Sequence, residues 1–348
     1  MTERWWRTPF PAPDESAAAA AATRQGELTK PPGSLGRLER IAIDLAGLQG
    51  VERPALDHIH IAVFAADHGI AAEGVSAFPQ AVTLEMVRNF ARGGAAISVL
   101  ARELGARLEV VDMGTAVDGG VLDGVRRVRI AAGTANFRNG PAMTPVERDR
   151  ALEAGREVAS EAADSGAQAF LGGEMGIANT TAATALACAL LGAEPRALAG
   201  PGTGLDTPGL THKIEVIEHA LEHHGWPTDP MPALAALGGF EIAGLTGAFI
   251  ASAQRGVPVL VDGFIASVAA LVAVRACPAL GRWLIATHRS AEPGHDRILA
   301  ELELEPVLDL GMRLGEGSGA AVAVPILRSA CAVHAGMATF AEAGVSRG

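Results

Sequence analysis

One stretch decides the fold: Phe170-Leu-Gly-Gly-Glu-Met-Gly-Ile-Ala-Asn-Thr-Thr-Ala-Ala-Thr-Ala-Leu-Ala187. Its apolar start predicts a buried strand, its glycines predict a tight turn, and its alanine-rich end predicts a helix. Gly172, Gly173 and Gly176 allow the backbone to approach a ligand closely, and the free N–H groups at the start of the helix favour a phosphate. An ordinary buried turn would show the same spacing, so the pattern alone leaves both interpretations open.

Three polar residues open the predicted helix. Asn179, Thr180 and Thr181 are residue types that cap helices. Their side chains are predicted either to bond the first N–H groups of the helix or to reach a ligand.

The same rhythm of apolar run, polar turn and alanine-rich helix recurs along the chain. The apolar runs are Ile59–Ala65, Leu108–Val111, Val125–Ile130, Ala167–Leu171, Val257–Val261 and Trp283–Ala286. Continuous apolar strands that alternate with helices are typical of a parallel sheet covered on both faces. We predict an α/β fold, a Rossmann-like parallel sheet flanked by helices over residues 51–301. The turns at the carboxyl ends of its strands would form the active-site cleft.

The two ends of the chain are predicted to be helical. Asp14 or Ser16 can cap a first helix that runs to about Leu28. We expect residues 1–50 and 302–348 to form a small helical subdomain beside the α/β domain.

Composition narrows the function. The 348 residues are 49% hydrophobic and carry a formal net charge of −11 without a basic run, which argues against nucleic acid or anionic membrane as a partner. The N-terminus lacks an apolar signal segment, and the apolar run Gly263–Val274 is too short to span a bilayer, so we expect a cytoplasmic protein. The three cysteines are isolated, and the pair His219 and His223 lacks a third ligand, so neither a metal nor another cofactor is expected.

Glu316 is the sharpest candidate for catalysis. It lies among glycines at the start of an alanine-rich helix. Such a carboxylate can stabilise the helix dipole or act as a base toward a ligand. The neighbouring Gly315, Gly317 and Gly319 favour the second interpretation, because a dipole partner does not need backbone that another molecule can approach.

Eight motifs occur in a fixed order. They are Lys30–Glu39, Ala66-Asp-His-Gly69, Gly74-Val-Ser-Ala-Phe-Pro79, Gly133-Thr-Ala-Asn136, Gly173–Thr181, Gly239-Phe-Glu-Ile-Ala243, Val261-Asp-Gly-Phe264 and Leu314-Gly-Glu-Gly-Ser-Gly-Ala-Ala321. In this order, the chain resembles the nicotinate-nucleotide:dimethylbenzimidazole phosphoribosyltransferase family over nearly its whole length. The Gly-Glu-Met-Gly and Leu-Gly-Glu-Gly-Ser-Gly-Ala-Ala blocks make the resemblance specific.

The resemblance implies a reaction between two small-molecule substrates, nicotinate mononucleotide and 5,6-dimethylbenzimidazole, with Glu316 as general base and a homodimer as the assembly. It places the nucleotide phosphate and ribose at Glu174, Gly176, Asn179, Thr180, Gly202 and Lys213. It places the benzimidazole at Ser76, Phe78, Gln80, Leu314 and Gly315. The apolar helix over Phe264–Val274 is a candidate subunit contact.

The charged residues in these motifs allow further hypotheses. Glu174 and Lys213 are expected to form an ion pair that orients the lysine toward the phosphate, unless Glu174 caps its own helix. Asp67 and His68 form either a hydrogen-bonded pair at the sheet end or a ligand contact. His288, with its neighbour Arg289, could bind a carboxylate or phosphate.

Two departures from the family pattern concern the substrates. Phe78 stands where relatives often have tyrosine, and Thr207-Pro-Gly209 stands where a further acidic residue is common. Another phosphoribosyl-transferring enzyme and a non-catalytic nucleotide- or corrinoid-binding module are the alternatives. A dinucleotide dehydrogenase is disfavoured, because no Gly-x-Gly-x-x-Gly follows the first strand.

Overall fold

A computed structural model describes residues 5–346. The strands of its sheet are β1 (Ile59–Ala66), β2 (Arg107–Gly114), β3 (Val125–Arg127), β4 (Ala169–Met175), β5 (Val259–Val261) and β6 (Leu284–Ala286). They lie in the order β3-β2-β1-β4-β5-β6, and each neighbouring pair is parallel. The predicted Rossmann-like sheet is therefore confirmed. The strand order reverses between β1 and β4, which is where ligands bind in such sheets.

Helices connect and cover the strands. They are α1 (Glu15–Glu27), α2 (Arg37–Gln49), α3 (Ala81–Arg92), α4 (Ala96–Leu104), α5 (Pro145–Asp164), α6 (Asn179–Leu191), α7 (Pro195–Leu198), α8 (Thr207–His224), α9 (Pro230–Leu237), α10 (Phe240–Gln254), α11 (Phe264–Ala276), α12 (His295–Glu301), α13 (Ser318–Gly336) and α14 (Phe340–Ala343). Short 3-10 helices span Trp5–Arg7, Gly69–Glu73 and Pro278–Trp283. Asp14 caps α1 as predicted, since its Oδ1 accepts a hydrogen bond from the Ser16 amide at 2.8 Å.

The two faces of the sheet carry separate hydrophobic cores. Along β1, Ile61 and Val63 face the core beneath α2, α3, α4 and α13. Ala62 and Phe64 face the core beneath α5, α6, α10 and α11. Successive side chains of a strand point to opposite faces, so a strand buried on both faces must be apolar throughout. This explains why the strand runs of the sequence do not alternate with polar residues.

The two ends of the chain meet. Arg24 of α1 donates from its Nε to the carbonyl of His334 in α13 at 2.8 Å, and α2 packs against both helices. However, α13 also packs on α4 and β4. The separate helical subdomain therefore stays a prediction, and its outermost residues, 1–4 and 347–348, lie outside the described chain.

Two apolar helices belong to the core. Within residues 5–346, α13 is long and apolar enough to cross a membrane by length and composition, but half of it is buried in the protein. Its Arg328 donates to the carbonyls of Leu56 and Leu104 at 2.8 and 3.0 Å. Helix α11 is buried from Phe264 to Ala273 within the chain itself. The suggested subunit contact through α11 is therefore wrong, because its apolar surface is already covered.

Candidate active site

A cleft opens at the carboxyl ends of the strands, at the side where the strand order reverses. Its walls come from the turns after β4, β5 and β6, from the loop before α8 and from the segment before α13. The cleft encloses about 840 Å³, including space open to solvent.

Two helices begin at this cleft without a side-chain cap. Helix α6 follows Ala178, which adopts a left-handed backbone with φ 73°, and α11 follows Gly263. The amides of Ala178 and Thr180 before and in α6, and of Phe264 and Ile265 in α11, have no acceptor among the described residues. Free amides and the positive ends of two helix dipoles therefore meet at one place, which is suited to an anion such as a phosphate.

Lys213 lies directly behind this place rather than in the cleft wall. It is fully buried on α8, and its Nζ donates to Thr180 Oγ1 at 2.9 Å and to the Gly200 carbonyl at 3.0 Å. Burial lowers the pKa of Lys213 to about 8, against the opposing charge of Glu292. The lysine thus contributes positive charge to the α6 end of the cleft and holds the loop before α8.

Arg313 and Glu292 hold the same loop from the other side. Arg313 donates to the Gly202 carbonyl at 2.6 Å. The carboxylate of Glu292 lies against Gly200, where a Cβ would overlap it. Burial raises the pKa of Glu292, while Lys213 and Arg313 lower it. Glu292 is therefore the carboxylate whose charge acts on the buried lysine.

The predicted ion pair between Glu174 and Lys213 is wrong. The Glu174 carboxylate accepts from the side-chain amide of Asn179 instead, and the Lys213 ammonium donates to Thr180 and Gly200. The alternative that Glu174 caps α6 is also wrong, because α6 has no side-chain cap. Burial, and then the charges of Glu241, Asp262 and Glu316, raise the pKa of Glu174 to about 8 against the hydrogen bond from Asn179.

Three consecutive residues before α13 have a left-handed backbone: Gly315, Glu316 and Gly317, with φ of 83°, 64° and 86°. A residue with a Cβ adopts this conformation only where its surroundings impose it. Here the Glu316 amide donates to the Glu174 carbonyl at 3.3 Å, and Gly173 is so close that a Cβ would overlap the Glu316 backbone. The segment is pressed against the end of β4, which places Glu316 beside Glu174.

The Glu316 carboxylate does not cap the helix that follows it. Asp262 fills that role, since its oxygens accept from the amides of Gly317 at 3.2 Å and Ala320 at 2.8 Å. Glu316 Oε2 instead accepts from the Ile97 amide at the start of α4, at 3.3 Å. Burial raises the pKa of Glu316, the Ile97 amide lowers it and the charge of Asp262 raises it. A carboxylate with an elevated pKa and one oxygen fixed is suited to accept a proton.

The predicted site residues divide into two groups. Those that line the cleft are Ser76, Glu174, Gly176, Asn179, Thr180, Gly202, Leu314 and Gly315. Those outside its wall are Phe78, Gln80, Lys213 and Glu316. Phe78 is half exposed, and the amide of Gln80 donates to the His68 carbonyl at 2.8 Å. Direct contacts of Phe78 and Gln80 with the benzimidazole stay predictions.

Two further pairs, Asp67 with His68 and His288 with Arg289, differ in their position relative to the cleft. Asp67 and His68 are buried, but their side chains bond Thr83 and Glu241 rather than each other. His288 lines the cleft, with its Nε2 3.4 Å from Asp262 Oδ1. Arg289 lies outside the cleft wall and donates to Asp296 at 2.7 Å.

Sequence reasoning missed three residues of the site. Asp262 could have been identified from the sequence, because it directly follows the predicted strand Val257–Val261 and so lies at the carboxyl end of the sheet. Arg313 had a weaker signal in its position directly before Leu314. Glu292 had none, because its role depends on a loop almost a hundred positions away.

The raised pKa of Glu174 predicts a loss of stability as the pH rises from about 5 to about 8. The unfolded chain releases this proton near 4.5 and the folded chain near 8. In this window the folded state binds more protons, so its unfolding free energy falls by up to about 1.4 kcal/mol per pH unit. Glutamine does not ionise, so the unfolding free energy of Glu174→Gln lacks this fall with pH. Thermal midpoints of both proteins should show the variant gaining relative to wild type as pH rises, and a constant difference would contradict the assignment.

Comparisons with known proteins agree with this architecture. A family model described as phosphoribosyltransferase matches residues 10–345. Nicotinate-nucleotide–dimethylbenzimidazole phosphoribosyltransferases of Pseudomonas aeruginosa and Pseudomonas putida are 62% and 60% identical, each over 99% of both chains. The crystal structure of the enzyme with that name from Thermus thermophilus is 45% identical, with a TM-score of 0.91 over 96% of this chain and 100% of that one. The chain therefore belongs to the nicotinate-nucleotide–dimethylbenzimidazole phosphoribosyltransferase family.

Proposed function

We propose that the protein transfers the 5-phosphoribosyl group of nicotinate mononucleotide to 5,6-dimethylbenzimidazole, which gives α-ribazole 5′-phosphate and nicotinate. One observation carries the proposal: the cleft has an anion-binding side and an acidic side. The first is formed by the free starts of α6 and α11 with Lys213 behind them. The second is formed by Glu174 and Asp262 in the cleft wall, with Glu316 beside Glu174 outside that wall. A nucleotide with a phosphate at one end and a cationic pyridinium at the other matches both.

The acidic side suits the charge that develops in the reaction. Nicotinate leaves with the electron pair of the bond from C1′ to the ring nitrogen, and becomes a pyridine without taking up a proton. Positive charge then develops at C1′. Burial is the main cause of the raised pKa of Glu174, and the charges of Glu241, Asp262 and Glu316 add to it, so these carboxylates favour a cation near Glu174. Groups fixed before the reaction stabilise such charge without reorganising.

Glu316 is proposed to remove the remaining proton. One ring nitrogen of dimethylbenzimidazole forms the new bond to C1′, and the N–H at its other nitrogen must lose a proton for the product to be neutral. Glu316 Oε2 is held by the Ile97 amide, and this is the hydrogen bond that its carboxylate accepts from the described residues. A positioned base of this kind contributes about 10²–10⁴-fold. Attack on the face opposite nicotinate inverts C1′, in line with the α configuration of the product.

The anion-binding side is proposed to hold the nucleotide for this attack. With the phosphate at the free amides of α6 and α11, the ribose would lie along the wall formed by Gly176 and Gly202. The base would then lie near Ser76 and Leu314, which line the same cleft. If the nicotinate and benzimidazole rings are held on opposite faces of the ribose, the bimolecular attack becomes an effectively unimolecular step, which lowers its entropic cost.

The assembly and location are separate proposals. We propose a homodimer, which sedimentation or light scattering would detect as a particle of twice the chain mass, and a cytoplasmic location. A monomer at the concentrations of the assay would reject the homodimer.

Mass spectrometry of the reaction tests the function. Purified protein, nicotinate mononucleotide and dimethylbenzimidazole should yield α-ribazole phosphate and nicotinate in equal amounts. Replacing dimethylbenzimidazole by adenine and other azoles in parallel identifies the preferred base. Absence of product with every azole would reject the proposed reaction and favour a nucleotide-binding module.

A further inference from the structure

Two polar residues at the end of β1 have no part in the proposed reaction although they are almost completely buried. Asp67 is 1% exposed and His68 is 0% exposed. Burying such groups is costly unless hydrogen bonds satisfy them. Among their contacts, Thr83 links Asp67 to the turn between β4 and α6, and the His68 ring packs on that turn, which opens into the cleft.

A chain of hydrogen bonds joins Asp67 to that turn. Thr83 of α3, fully buried, donates from its Oγ1 to Asp67 Oδ1 at 2.6 Å. The same Oγ1 accepts from the Ile177 amide at 3.1 Å. Asp67 Oδ2 accepts from the Ala116 amide at 2.7 Å, so the carboxylate is fixed at both oxygens. The hydroxyl of Thr83 therefore links the carboxylate to the turn.

His68 supports the turn one residue earlier. Its Nε2 lies 2.7 Å from Oε1 of the fully buried Glu241. Its ring packs against Gly176, where a Cβ would lie 3.2 Å from Nε2. The turn thus rests on a buried pair at Gly176 and on a hydrogen bond at Ile177.

The bond from Ile177 has a consequence for the amides that follow. With its N–H bound to Thr83, the peptide before Ile177 is fixed in orientation. Ala178 then adopts its left-handed conformation, which a residue with a Cβ does not take without support. The amides of Ala178 and Thr180 then have no acceptor among residues 5–346 and lie at the cleft.

We propose that Asp67 and Thr83 are positioning residues for nucleotide binding. Through the Ile177 N–H they hold the turn in the conformation that directs the amides of Ala178 and Thr180 toward the phosphate of nicotinate mononucleotide. The inference rests on the proposed function, because it assumes that this nucleotide occupies the cleft.

Removal of the Thr83 hydroxyl tests the inference. Thr83→Val keeps the shape of the side chain and breaks the link, so KM and the calorimetric Kd for nicotinate mononucleotide should rise about five- to tenfold, the effect of one lost hydrogen bond. The kcat should stay within about twofold, because the base and the acceptor are untouched. Thr83→Ser should restore values close to wild type. Thr83→Ala should match the valine variant and covers the case in which valine prevents folding.

Thr246→Val is the matched control. Thr246 is also fully buried and donates through its hydroxyl, to the Ile242 carbonyl at 2.8 Å within α10. It should lower the thermal midpoint without changing KM or Kd. Unchanged KM and Kd in Thr83→Val and Thr83→Ala, with an active wild type, would overturn the inference. A wild type that forms no α-ribazole phosphate would instead overturn the proposed function.

Discussion

Replacement of Glu316 by glutamine is expected to lower kcat by about 10²- to 10⁴-fold while changing KM for nicotinate mononucleotide by only a few-fold. Glutamine keeps the shape of the side chain and can still accept from the Ile97 amide, so the left-handed segment should persist. What it loses is the ability to take the benzimidazole proton. Steady-state rates of nicotinate release with both substrates varied measure the effect.

The pH dependence separates a base from a structural carboxylate. Burial raises the pKa of Glu316 above its ordinary value, so the base form is lost at a higher pH than for an exposed glutamate. The wild-type kcat/KM should fall as the pH is lowered through this pKa, and Glu316→Gln should lack that fall. Glu109→Gln is the control, since Glu109 lies toward the start of β2, at the end of the strands opposite the cleft. Wild-type kcat in Glu316→Gln would exclude Glu316 as the base.

The sheet could be predicted from sequence because its determinants are local. A strand covered on both faces must be apolar at every position, and the run that contains Val63 and Phe64 carries this signal within a few residues. The turn at Gly176 could also be predicted, because glycine is required where the backbone passes closely over Ala66 and His68. Strand, turn and helix follow one another in the chain, so neighbouring residues report on them.

The charge pairing of the site could not be predicted, because it depends on where distant loops meet. Charge type alone favoured Glu174 as the partner of Lys213. In the fold, however, Glu174 bonds its near neighbour Asn179, while the loop at Gly200 brings Glu292 toward the lysine. The partner of the α13 start was equally out of reach, since it is Asp262, directly after β5, which is distant in the sequence.

Lys213→Met is expected to lower kcat/KM for nicotinate mononucleotide by about 10- to 100-fold, mainly through KM. Methionine fills much of the same buried space but removes the positive charge and both hydrogen bonds, to Thr180 and Gly200. Hydrogen bonds of charged groups contribute about 1.5–3 kcal/mol, which corresponds to this range. Glu292 also loses its buried cation, so the loop at Gly202 should become less ordered. Initial rates at varied nucleotide concentration measure the change.

The pKa of Lys213 gives this prediction a second test. Because burial lowers it to about 8, the lysine is charged below that pH and loses its charge above it. The wild-type KM for the nucleotide should therefore rise above about pH 8, and the KM of Lys213→Met should lack the rise that Lys213 causes. Arg148→Met is the matched control, because Arg148 is a buried cation that donates to the Met231 carbonyl away from the cleft. If both variants raise KM equally, the effect reflects general destabilisation, and Lys213 has no specific part in phosphate binding.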